Sequence, residues 1–482
     1  MYGNIVMKQY YVWTIGCQMN EADSAHLAAE LEAMGYRPTA RAENADVVVL
    51  NTCVVRQSAE DKAVGRLWSL APLKARRPET VIGLMGCMVG YKPSAQLCAR
   101  FPMVDVFMPP SEPGPLVEYL RERARLEEDE AAAWEQETLH ARHELQDSLD
   151  AEHTTPVARR VEGVTAHLPI IFGCNHVCTF CIIPYRRGAE RSRPLAEILA
   201  EARMLTARGV KEVTLLGQIV DRYGYDWDGL KGHGLERRQP STDLADLLVA
   251  LHDVDGLERI RFLTSHPNYM SDRILDAVAS LPKVCEHIEV PVQAGHDEVL
   301  RRMRRGYTVD DYRRLVHRIR EKVPEASIAT DVIVGFPGET EEHFQATCDL
   351  LAELRLDVVH VAMYSPRPGT AAARHLADDV PPEEKKRRLH VINDLQERIV
   401  GEINRRLVGQ TVEILVEDKD RQRWRGRTRT NKLVFFEAEG DWRGKLVPVK
   451  ITWAGPWSML GELAAEAVAD EPIWLTSFPA RV

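Results

Sequence analysis

The chain contains no hydrophobic segment long enough to span a lipid bilayer. Its 482 residues include no run of about 18 or more uncharged, predominantly apolar residues. The stretch up to Cys17 also lacks the basic start, the apolar run and the small-residue cleavage site of a secretory signal. We therefore expect a cytoplasmic protein with no membrane partner, in a compartment that keeps thiols reduced.

The sequence also lacks an excess of positive charge. Its 62 Lys and Arg face 72 Asp and Glu, and the formal net charge is -10. Because phosphate binding depends on Lys and Arg, this balance argues against a nucleic-acid partner. The distribution of the charge argues the other way. Residues 121–152 hold 11 Asp or Glu against 4 Arg, whereas residues 419–432 hold seven basic residues and one acid.

The periodicity predicts an α/β protein of three domains. Short β-branched or aromatic runs alternate with amphipathic stretches over the first 120 residues and again from about Ala166 to Arg398, which indicates parallel sheets. We predict an open, flavodoxin-like sheet, then a partial (βα)6 barrel, then a small antiparallel β-barrel. The predicted boundaries are 7–125 for the first domain, 126–159 for an acidic helical linker, 160–398 for the parallel barrel, 401–466 for the small barrel and 467–482 for a tail.

Three cysteines lie within eight residues in FGCNHVCTFC, directly after a predicted strand. Cys174, Cys178 and Cys181 are too few to complete a tetrahedral zinc site, and His176 inside the loop is awkwardly placed as a fourth ligand. A [4Fe-4S] cluster held by three thiolates keeps one iron open for a cofactor or substrate. Buried structural thiols and a zinc loop are the alternatives, and the spacing favours the cluster.

Three further cysteines recur at the ends of successive predicted strands. Cys17, Cys53 and Cys87 lie 36 and 34 positions apart and end the segments TIGC, LNTC and LMGC. Because adjacent strand ends converge at one edge of an open parallel sheet, we expect these thiols to meet there. They predict a second cluster with an open iron, and accidental placement of core cysteines is the alternative. The remaining cysteines are interpreted as packing residues: Cys98, Cys285 and Cys348.

The first motif resembles that of the radical S-adenosylmethionine superfamily, with Phe180 as the aromatic residue before the last cysteine. The whole chain resembles the methylthiotransferases, which combine an N-terminal auxiliary-cluster domain, a radical barrel and a C-terminal TRAM module. Their MiaB-type, tRNA-modifying branch matches best. The stretches that carry this resemblance are GCQMNEADS (16 to 24), NTCVVRQSAEDK (51 to 62), CNHVCTFCIIPYRRGAERSR (174 to 193), DVIVGFPGET (331 to 340) and GRTRTNK (426 to 432).

The resemblance implies methylthiolation at C2 of N6-isopentenyladenosine, at position 37 in the anticodon loop of tRNA. It implies two [4Fe-4S] clusters, one on each cysteine set, and two molecules of S-adenosylmethionine. The further partners it implies are a reductant such as flavodoxin or ferredoxin and a sulfur or cluster donor. Sister branches act on threonylcarbamoyl-adenosine in tRNA or on a ribosomal protein aspartate. These substrates, and a non-catalytic iron-sulfur RNA-binding protein, are the alternatives.

The sequence departs from the branch pattern at two predicted strand ends. Ile219 stands where the branch usually has Asn, and Ala294 and His296 lie in QAGH where the branch usually reads QSGS. These positions are expected near substrate or cofactor. The departures leave the radical chemistry intact and bear on fine recognition.

Three candidate cofactor contacts lie beside the motifs. Phe180 is expected against the cofactor adenine, and Gln218 against an adenine edge at the barrel mouth. The turn from Gly335 to Glu339 permits close backbone approach to a ribose or adenine. The alternatives are a core aromatic, a solvated turn residue and a turn that serves connection alone.

Two groups of arginines are candidate contacts with phosphate. Arg186, Arg187, Arg191 and Arg193 follow the cluster loop and are expected to bind phosphates or the cofactor carboxylate, unless they are only solvated. Regular alternation in a β-ribbon lets a row of guanidinium groups track an RNA backbone, beside Trp424 as a stacking surface. The members of this row are Arg423, Arg425, Arg427 and Arg429. A solvated charge run is the alternative.

Overall fold

The computed structural model describes residues 8–55, 57–125, 163–228 and 240–464. The predicted acidic linker and the predicted tail lie outside the described residues. The chain forms two compact units. The first unit holds the described residues before 126, together with Phe172–His176 and Cys181–Arg191. The second unit holds residues 163–171, Val177–Phe180 and the described residues from Ser192 onward.

The first unit is built on a parallel five-stranded sheet with strand order β2-β1-β3-β4-β5. This is the flavodoxin-like order, which confirms the predicted fold class. Its strands are β1 (Gln9–Thr14), β2 (Arg37–Pro38), β3 (Val47–Thr52), β4 (Val81–Gly86) and β5 (Val106–Met108). Its helices are α1 (Gln18–Ala33), α2 (Gln57–Arg76), α3 (Ala95–Arg100) and α4 (114–125). The two-residue β2 escaped prediction because it is too short to show a period.

Both faces of the central strands are covered. Alternate residues of β3 point into two separate cores: Val48 packs with Leu67 of α2, whereas Val49 packs with Leu27 of α1 and Leu116 of α4. Every residue of β3 and β4 is buried. A strand buried on both faces reads as a continuous apolar run, which is why VVVL and VIGLM were recognisable in the sequence.

Six parallel strands of the second unit form the predicted partial barrel. They make two groups, β6-β9-β10 and β11-β12-β13, and Ile260 bridges Val284 in parallel between the groups. The strands are β6 (Thr165–Pro169), β9 (Glu212–Leu216), β10 (Arg259–Phe262), β11 (His287–Glu289), β12 (Ser327–Val334) and β13 (Val358–Met363), with a short extra pair β7 (Ile171–Phe172) and β8 (Arg191–Ser192). The strand segments predicted at 212–217, 259–265, 287–292, 327–336 and 357–365 each contain one of these barrel strands, and the segment predicted at 167–173 overlaps only the end of β6.

Helices follow the barrel strands along the chain. They are α5 (Ile183–Arg187), α6 (Leu195–Ala207), α7 (Leu244–His252), α8 (Asp272–Ser280), α9 (Asp297–Met303), α10 (Val309–Lys322), α11 (Glu341–Leu354), α12 (Ala371–His375) and α13 (Pro382–Arg405). Among the described residues, no helix combines the length and the apolar composition that a bilayer crossing requires.

The last strands of the second unit close into a small barrel with order β14-β15-β16-β18-β17. They are β14 (Thr411–Asp420), β15 (Arg423–Thr428), β16 (Leu433–Phe436), β17 (Leu446–Ala454) and β18 (Met459–Leu463). The pairings are antiparallel except for β16 with β18, which is parallel. This exception is geometric, because five strands cannot alternate in direction all the way round a closed ring.

Candidate metal centres

The first cysteine set consists of Cys17, Cys53 and Cys87 and lies at the carboxyl edge of the first unit's sheet. Cys53 and Cys87 directly follow β3 and β4, whose register sets Thr52 opposite Gly86, and Cys87 N donates to Thr52 O at 2.9 Å. Cys17 caps α1 after β1. Burial raises the pKa of Cys87 to about 11, Arg187 opposes the rise, and the charges of Cys53 and Cys17 add to it. The three predicted ligands are therefore close neighbours.

Buried polar side chains and two glycines hold this edge in place. Asn20 Nδ2 donates to Asn51 Oδ1 at 2.9 Å, and Asn51 Nδ2 donates to Ser24 Oγ at 2.9 Å. Gly16 packs so tightly that a Cβ there would lie 2.3 Å from Asn20 Oδ1. At Gly86 φ is +101°, and a Cβ would lie 2.4 Å from Thr52 O. The backbone that presents Cys87 therefore requires glycine at position 86.

We expect Gly86→Ala to lower the iron content of the first cysteine set. The added methyl group meets backbone rather than a movable side chain, and a left-handed non-glycine residue costs about 1–3 kcal/mol. Iron quantified per chain after anaerobic reconstitution measures the effect. Gly65→Ala is the matched control, because Gly65 lies in α2 with open space around it and alanine favours a helix. Equal iron in both variants would contradict the geometry.

Arg187 is buried against this cysteine set. Its side chain hydrogen-bonds to Cys87, and the charges of Cys87 and Cys17 act on its guanidinium. Its Nη2 lies 3.2 Å from Asp23 Oδ2, with side chains 3% and 2% exposed, and its Nη1 donates to Ser111 Oγ at 3.2 Å. Burial raises the pKa of Asp23, and Arg187 opposes that rise. The predicted phosphate-binding role is wrong for Arg187, because its donors are used inside the first unit.

The other arginines after the cluster loop have separate surroundings. Arg186 packs beside Gly90, where a Cβ would lie 3.2 Å from Nη1. Arg191 is exposed and its guanidinium lies 5.7 Å from the ring centroid of Phe172. Arg193 Nη1 contacts Pro169 O at 2.7 Å and Glu201 Oε2 at 2.8 Å. A role in phosphate or carboxylate binding stays a prediction for these three.

The second cysteine set consists of Cys174, Cys178 and Cys181 and lies in the loop between β7 and α5. In the first unit, Cys174 N donates to Gly188 O at 3.0 Å, and His176 N donates to Cys174 Sγ at 3.4 Å. In the second unit, Thr179 N donates to Met303 O at 3.1 Å. Backbone hydrogen bonds therefore hold the loop at Cys174 and at Thr179. Cys181 is the last cysteine of the motif and lies just before α5.

A second buried arginine, Arg305, contacts this set. Its Nη1 lies 3.3 Å from Cys178 Sγ, and its remaining donors reach the Tyr307 hydroxyl at 3.0 Å and Pro291 O at 3.2 Å. Sequence reasoning missed Arg305, which lies 127 positions from Cys178 in no local motif. Each cysteine set therefore includes one thiol that accepts a hydrogen bond from a buried guanidinium. Hydrogen bonds to ligand sulfur are one of the factors that set the reduction potential of an iron-sulfur cluster.

The donor chemistry of both sets fits iron-sulfur clusters. Within the described ranges, no three His, Cys, Asp or Glu side chains are placed to hold a single metal ion. An iron-sulfur cluster requires a different arrangement, because each thiolate binds a different iron and the sulfur atoms are separated by the width of the cluster. Each set offers three soft sulfur ligands, and backbone N–H groups point at them: Val55 N lies 3.4 Å from Cys53 Sγ, as His176 N does from Cys174 Sγ.

The predicted cofactor contacts belong to the second unit. Phe180 is partly buried and meets Phe336 edge-on, with centroids 6.4 Å apart. Gln218 is partly exposed just after β9. Gly335 adopts φ +70° and its N–H donates to Glu339 Oε2 at 2.5 Å, while Arg388 Nη1 binds the same oxygen at 2.8 Å. The Glu339 side chain thus holds the turn from within, which corrects its predicted place among the cofactor contacts.

The departures from the family pattern have local explanations. His296 caps α9, its Nδ1 accepting from Glu298 N at 3.2 Å, and its ring stacks on His343 with centroids 4.1 Å apart. The imidazole thereby does what a serine does at a helix N-cap. Ala294 and Ile219 are buried, at 0% and 8% exposure. All three residues serve packing or capping.

Two residues with left-handed backbone and a partly buried carboxyl group lie at or just after the carboxyl ends of barrel strands. Thr264 and Gln293, just after β10 and β11, are non-glycine residues at φ +67° and +72°. Such strained residues cluster at functional sites. Burial raises the pKa of Glu289 to about 7, and the charge of Asp331 adds to the rise. Glu289 can therefore hold or release a proton near neutral pH.

The predicted arginine row in the small barrel is ion-paired along its length. Arg423 meets Glu437 at 2.9 Å, Arg425 meets Asp418, and Arg427 meets Glu417 at 3.4 Å. The acids come from β14 and from beyond β16, outside the segment whose charge was counted. RNA binding by these three arginines stays a prediction.

Arg429 and Trp424 have structural roles instead. Arg429 pairs with Glu286 at 2.6 Å and donates to Val284 O at 2.6 Å, both on the parallel barrel, where Arg261 reciprocates by donating to Thr428 O at 2.6 Å. Trp424 is 6% exposed and lies in the core of the small barrel. The prediction of a stacking surface at Trp424 is wrong. Side chains alternate between the two faces of a strand, so the face opposite the arginines points into the barrel and includes Trp424. This alternation was already visible in the sequence.

Comparison with known proteins finds three family matches along the chain. The radical SAM superfamily matches residues 168–351, the uncharacterized protein family UPF0004 matches 9–109, and the TRAM domain matches 405–464. A tRNA-2-methylthio-N(6)-dimethylallyladenosine synthase of Herpetosiphon aurantiacus is 46% identical over 96% of this chain and 98% of its own length. The enzyme of the same name from a Roseiflexus species is 48% identical over 95% and 90%.

A solved structure shares the fold. The radical S-adenosylmethionine methyltransferase TsrM of Kitasatospora setae, solved with cobalamin and a [4Fe-4S] cluster, superposes with a TM-score of 0.52 over 76% of this chain and 77% of its own. Its sequence identity is 16%, so the likeness is one of architecture.

Proposed function

The chain belongs to the family of tRNA-2-methylthio-N(6)-dimethylallyladenosine synthases, and from this premise we propose that it methylthiolates C2 of N6-isopentenyladenosine at position 37 of tRNA. One structural observation supports the assignment most. The chain carries two three-cysteine sets, one at the edge of an open parallel sheet and one in a loop after the first barrel strand. A binding protein needs no second set of this kind, whereas a reaction that joins radical chemistry to sulfur insertion needs both.

The target bond explains why two sets are needed. No acid or base near neutral pH usefully activates an aromatic C–H such as adenine C2–H, so a one-electron route is required. We propose that Cys174, Cys178 and Cys181 hold one [4Fe-4S] cluster and that Cys17, Cys53 and Cys87 hold the other. When bound, the first supplies the electron that cleaves S-adenosylmethionine, and the second supplies the site of the sulfur to be methylated.

The remaining residues position and protect these groups. Arg187 and Arg305 donate to Cys87 and Cys178 and fix the ligand sulfurs. Phe180 and the backbone of the turn at Gly335 bind S-adenosylmethionine, and Gln218 donates to or accepts from the adenine edge. The buried walls of the parallel barrel exclude water that would quench a radical.

The proposed partners follow from the substrate and the electron requirement. Unmodified tRNA bearing N6-isopentenyladenosine is the substrate, and the TRAM barrel contributes to holding it. A flavodoxin or ferredoxin supplies electrons, and a sulfur or cluster donor restores the sulfur consumed in each turnover. We propose that the protein works in the cytoplasm, with its tRNA substrate and with its thiols reduced.

We expect tRNA from cells that lack this protein to contain N6-isopentenyladenosine without its 2-methylthio form. Mass spectrometry of digested nucleosides measures both species. Complementation with the wild-type chain should restore the 2-methylthio form, and complementation with a chain lacking Cys178 should not. An unchanged level of the 2-methylthio nucleoside in the deletion strain would refute the proposed substrate. A change confined to threonylcarbamoyl-adenosine or to a ribosomal protein would assign a sister activity instead.

A further inference from the structure

The small barrel exposes two tryptophans that lie outside its core. Trp453 lies near the end of β17 and Trp457 lies in the turn between β17 and β18, and these residues are 52% and 64% exposed. Two other tryptophans of the same barrel, Trp424 and Trp442, are each 6% exposed and lie in its core. A single exposed apolar side chain requires no explanation, but two large indoles at one turn mark a binding surface.

The turn that carries these indoles is rigid. Gly455 N donates to Ser458 O at 3.0 Å and closes the turn. From α13, the buried Asn404 donates through Nδ2 to Gly455 O at 2.9 Å and to Pro456 O at 3.1 Å. The indole of Trp453 lies over Gly455, where a Cβ would stand 2.5 Å from the ring. The surface is therefore pre-formed, and binding to it costs little conformational entropy.

Basic residues lie on β17, which leads into the turn, and at the end of α13, which hydrogen-bonds to it. Arg405 and Arg406 directly follow Asn404 and are exposed, and Lys450 points outward from β17. Gly409 N donates to Ile451 O at 2.8 Å, which aligns the end of α13 with β17. Glu462 lies opposite Lys450 in the ladder and offsets part of this charge. Indole faces beside guanidinium and ammonium groups are the combination that binds unpaired nucleotides.

We propose that Trp453 and Trp457, with Arg405, Arg406 and Lys450, form an RNA-stacking surface that binds unpaired bases of the tRNA substrate. This inference rests on the proposed function and moves the aromatic contact away from Trp424, which is core. A second copy of the chain is a poorer occupant. In a twofold dimer this surface would face itself, and its basic residues would repel one another.

Binding of tRNA bearing N6-isopentenyladenosine to the anaerobically purified full chain tests the proposal. We expect Trp453→Ala and Trp457→Ala each to raise the Kd about tenfold, since stacking on an aromatic side chain is worth roughly that much per base. Trp453→Phe and Trp457→Phe retain a ring and should recover most of the affinity. Trp68→Ala is the matched control, because Trp68 is 50% exposed on α2 of the first unit and should leave the Kd unchanged.

The outcomes separate this proposal from the function on which it rests. Wild-type affinity in the Trp453→Ala/Trp457→Ala double variant would overturn the surface, whether or not methylthiolation proceeds. Wild-type protein that binds this tRNA but never forms the 2-methylthio product counts against the proposed function alone. If the double variant lost a dimer seen by sedimentation while keeping its RNA affinity, the surface would join two copies and the proposal would fall. Equal iron content and circular dichroism across variants exclude misfolding as the cause.

Discussion

Replacing Cys174, Cys178 and Cys181 together by Ala should abolish methylthiolation completely and leave about four irons per chain on the first cysteine set. The reason is that different structural elements present the two sets. Cys17, Cys53 and Cys87 are presented by strand ends of the first sheet, whose core involves α1, α2 and α4. None of the three loop cysteines belongs to that core, although Ile182, directly after Cys181, does. Iron and sulfide analysis after anaerobic reconstitution measures the remaining cluster.

The reciprocal variant sharpens the assignment. With Cys17, Cys53 and Cys87 replaced by Ala, the chain should still form 5′-deoxyadenosine from S-adenosylmethionine and a reductant, but no 2-methylthio product. Cys98→Ala is the control, because Cys98 lies in α3 outside both sets and should keep full iron and activity. Loss of all iron in either triple variant would show that the two sites are not independent. Formation of 5′-deoxyadenosine without Cys174, Cys178 and Cys181 would refute the division of roles.

Arg187→Met should destabilise the first unit by about 3–5 kcal/mol, the usual cost of removing one partner from a buried ion pair. The loss has two parts. Asp23 keeps its hydrogen bond from Ser111 Oγ but loses its ion pair, and the Cys87 sulfur loses its guanidinium donor. Arg187→Lys should recover only part, because an ammonium group cannot reach Asp23, Ser111 and Cys87 with a planar fork. Differences in the denaturant midpoint of the anaerobic protein measure the change.

The penalty should also depend on pH. Burial already raises the pKa of Asp23, and without Arg187 it rises further. A carboxyl group whose folded pKa lies above its unfolded value binds protons more tightly when folded, so stability falls as the pH rises above about 3.9. We therefore expect Arg187→Met to be less destabilising at pH 5 than at pH 8. In the double variant Asp23→Asn/Arg187→Met most of this pH dependence should vanish. Equal stability of Arg187→Met and wild type at pH 8 would contradict the buried pair.

The same substitution provides a test of the role of Arg187 toward the cluster. A lost hydrogen bond to ligand sulfur concentrates negative charge there and makes reduction harder. The reduction potential of the cluster on Cys17, Cys53 and Cys87 should fall in Arg187→Met, as followed by electron paramagnetic resonance during a redox titration. Asp23→Asn should shift it less, because the guanidinium remains. A merely structural Arg187 would change the unfolding midpoint and leave the potential where it was.

Local spacing was enough to predict both cysteine sets and the parallel architecture. All strands of a parallel sheet end at the same edge, so cysteines that follow neighbouring strands lie close together at that edge. That is why intervals of 36 and 34 residues predicted the neighbourhood of Cys17, Cys53 and Cys87. The six barrel strands were recognisable for a related reason, since β-branched runs alternate with helices of ordinary length.

Charge was harder to interpret. The segment 419–432 looked strongly basic because only its own acid was counted, yet Glu437, Asp418 and Glu417 approach its arginines from neighbouring parts of the barrel. Glu286 reaches Arg429 from 143 positions away. A count along the chain cannot include partners that only folding brings near, and the basic surface we propose for RNA lies instead at the end of α13 and on β17.

By itself, then, the sequence determined which strands end in cysteines, which loop carries three more cysteines, and which family the chain resembles. Tertiary structure alone decided the partners of those thiols. Arg187 reaches Cys87 across 100 positions and Arg305 reaches Cys178 across 127. Arg305 lies in no local motif, and the motif that contains Arg187 predicted a different partner for it. The physical reason is that backbone periodicity places an element by its own residues, whereas a buried charge is placed by whichever distant group can satisfy it.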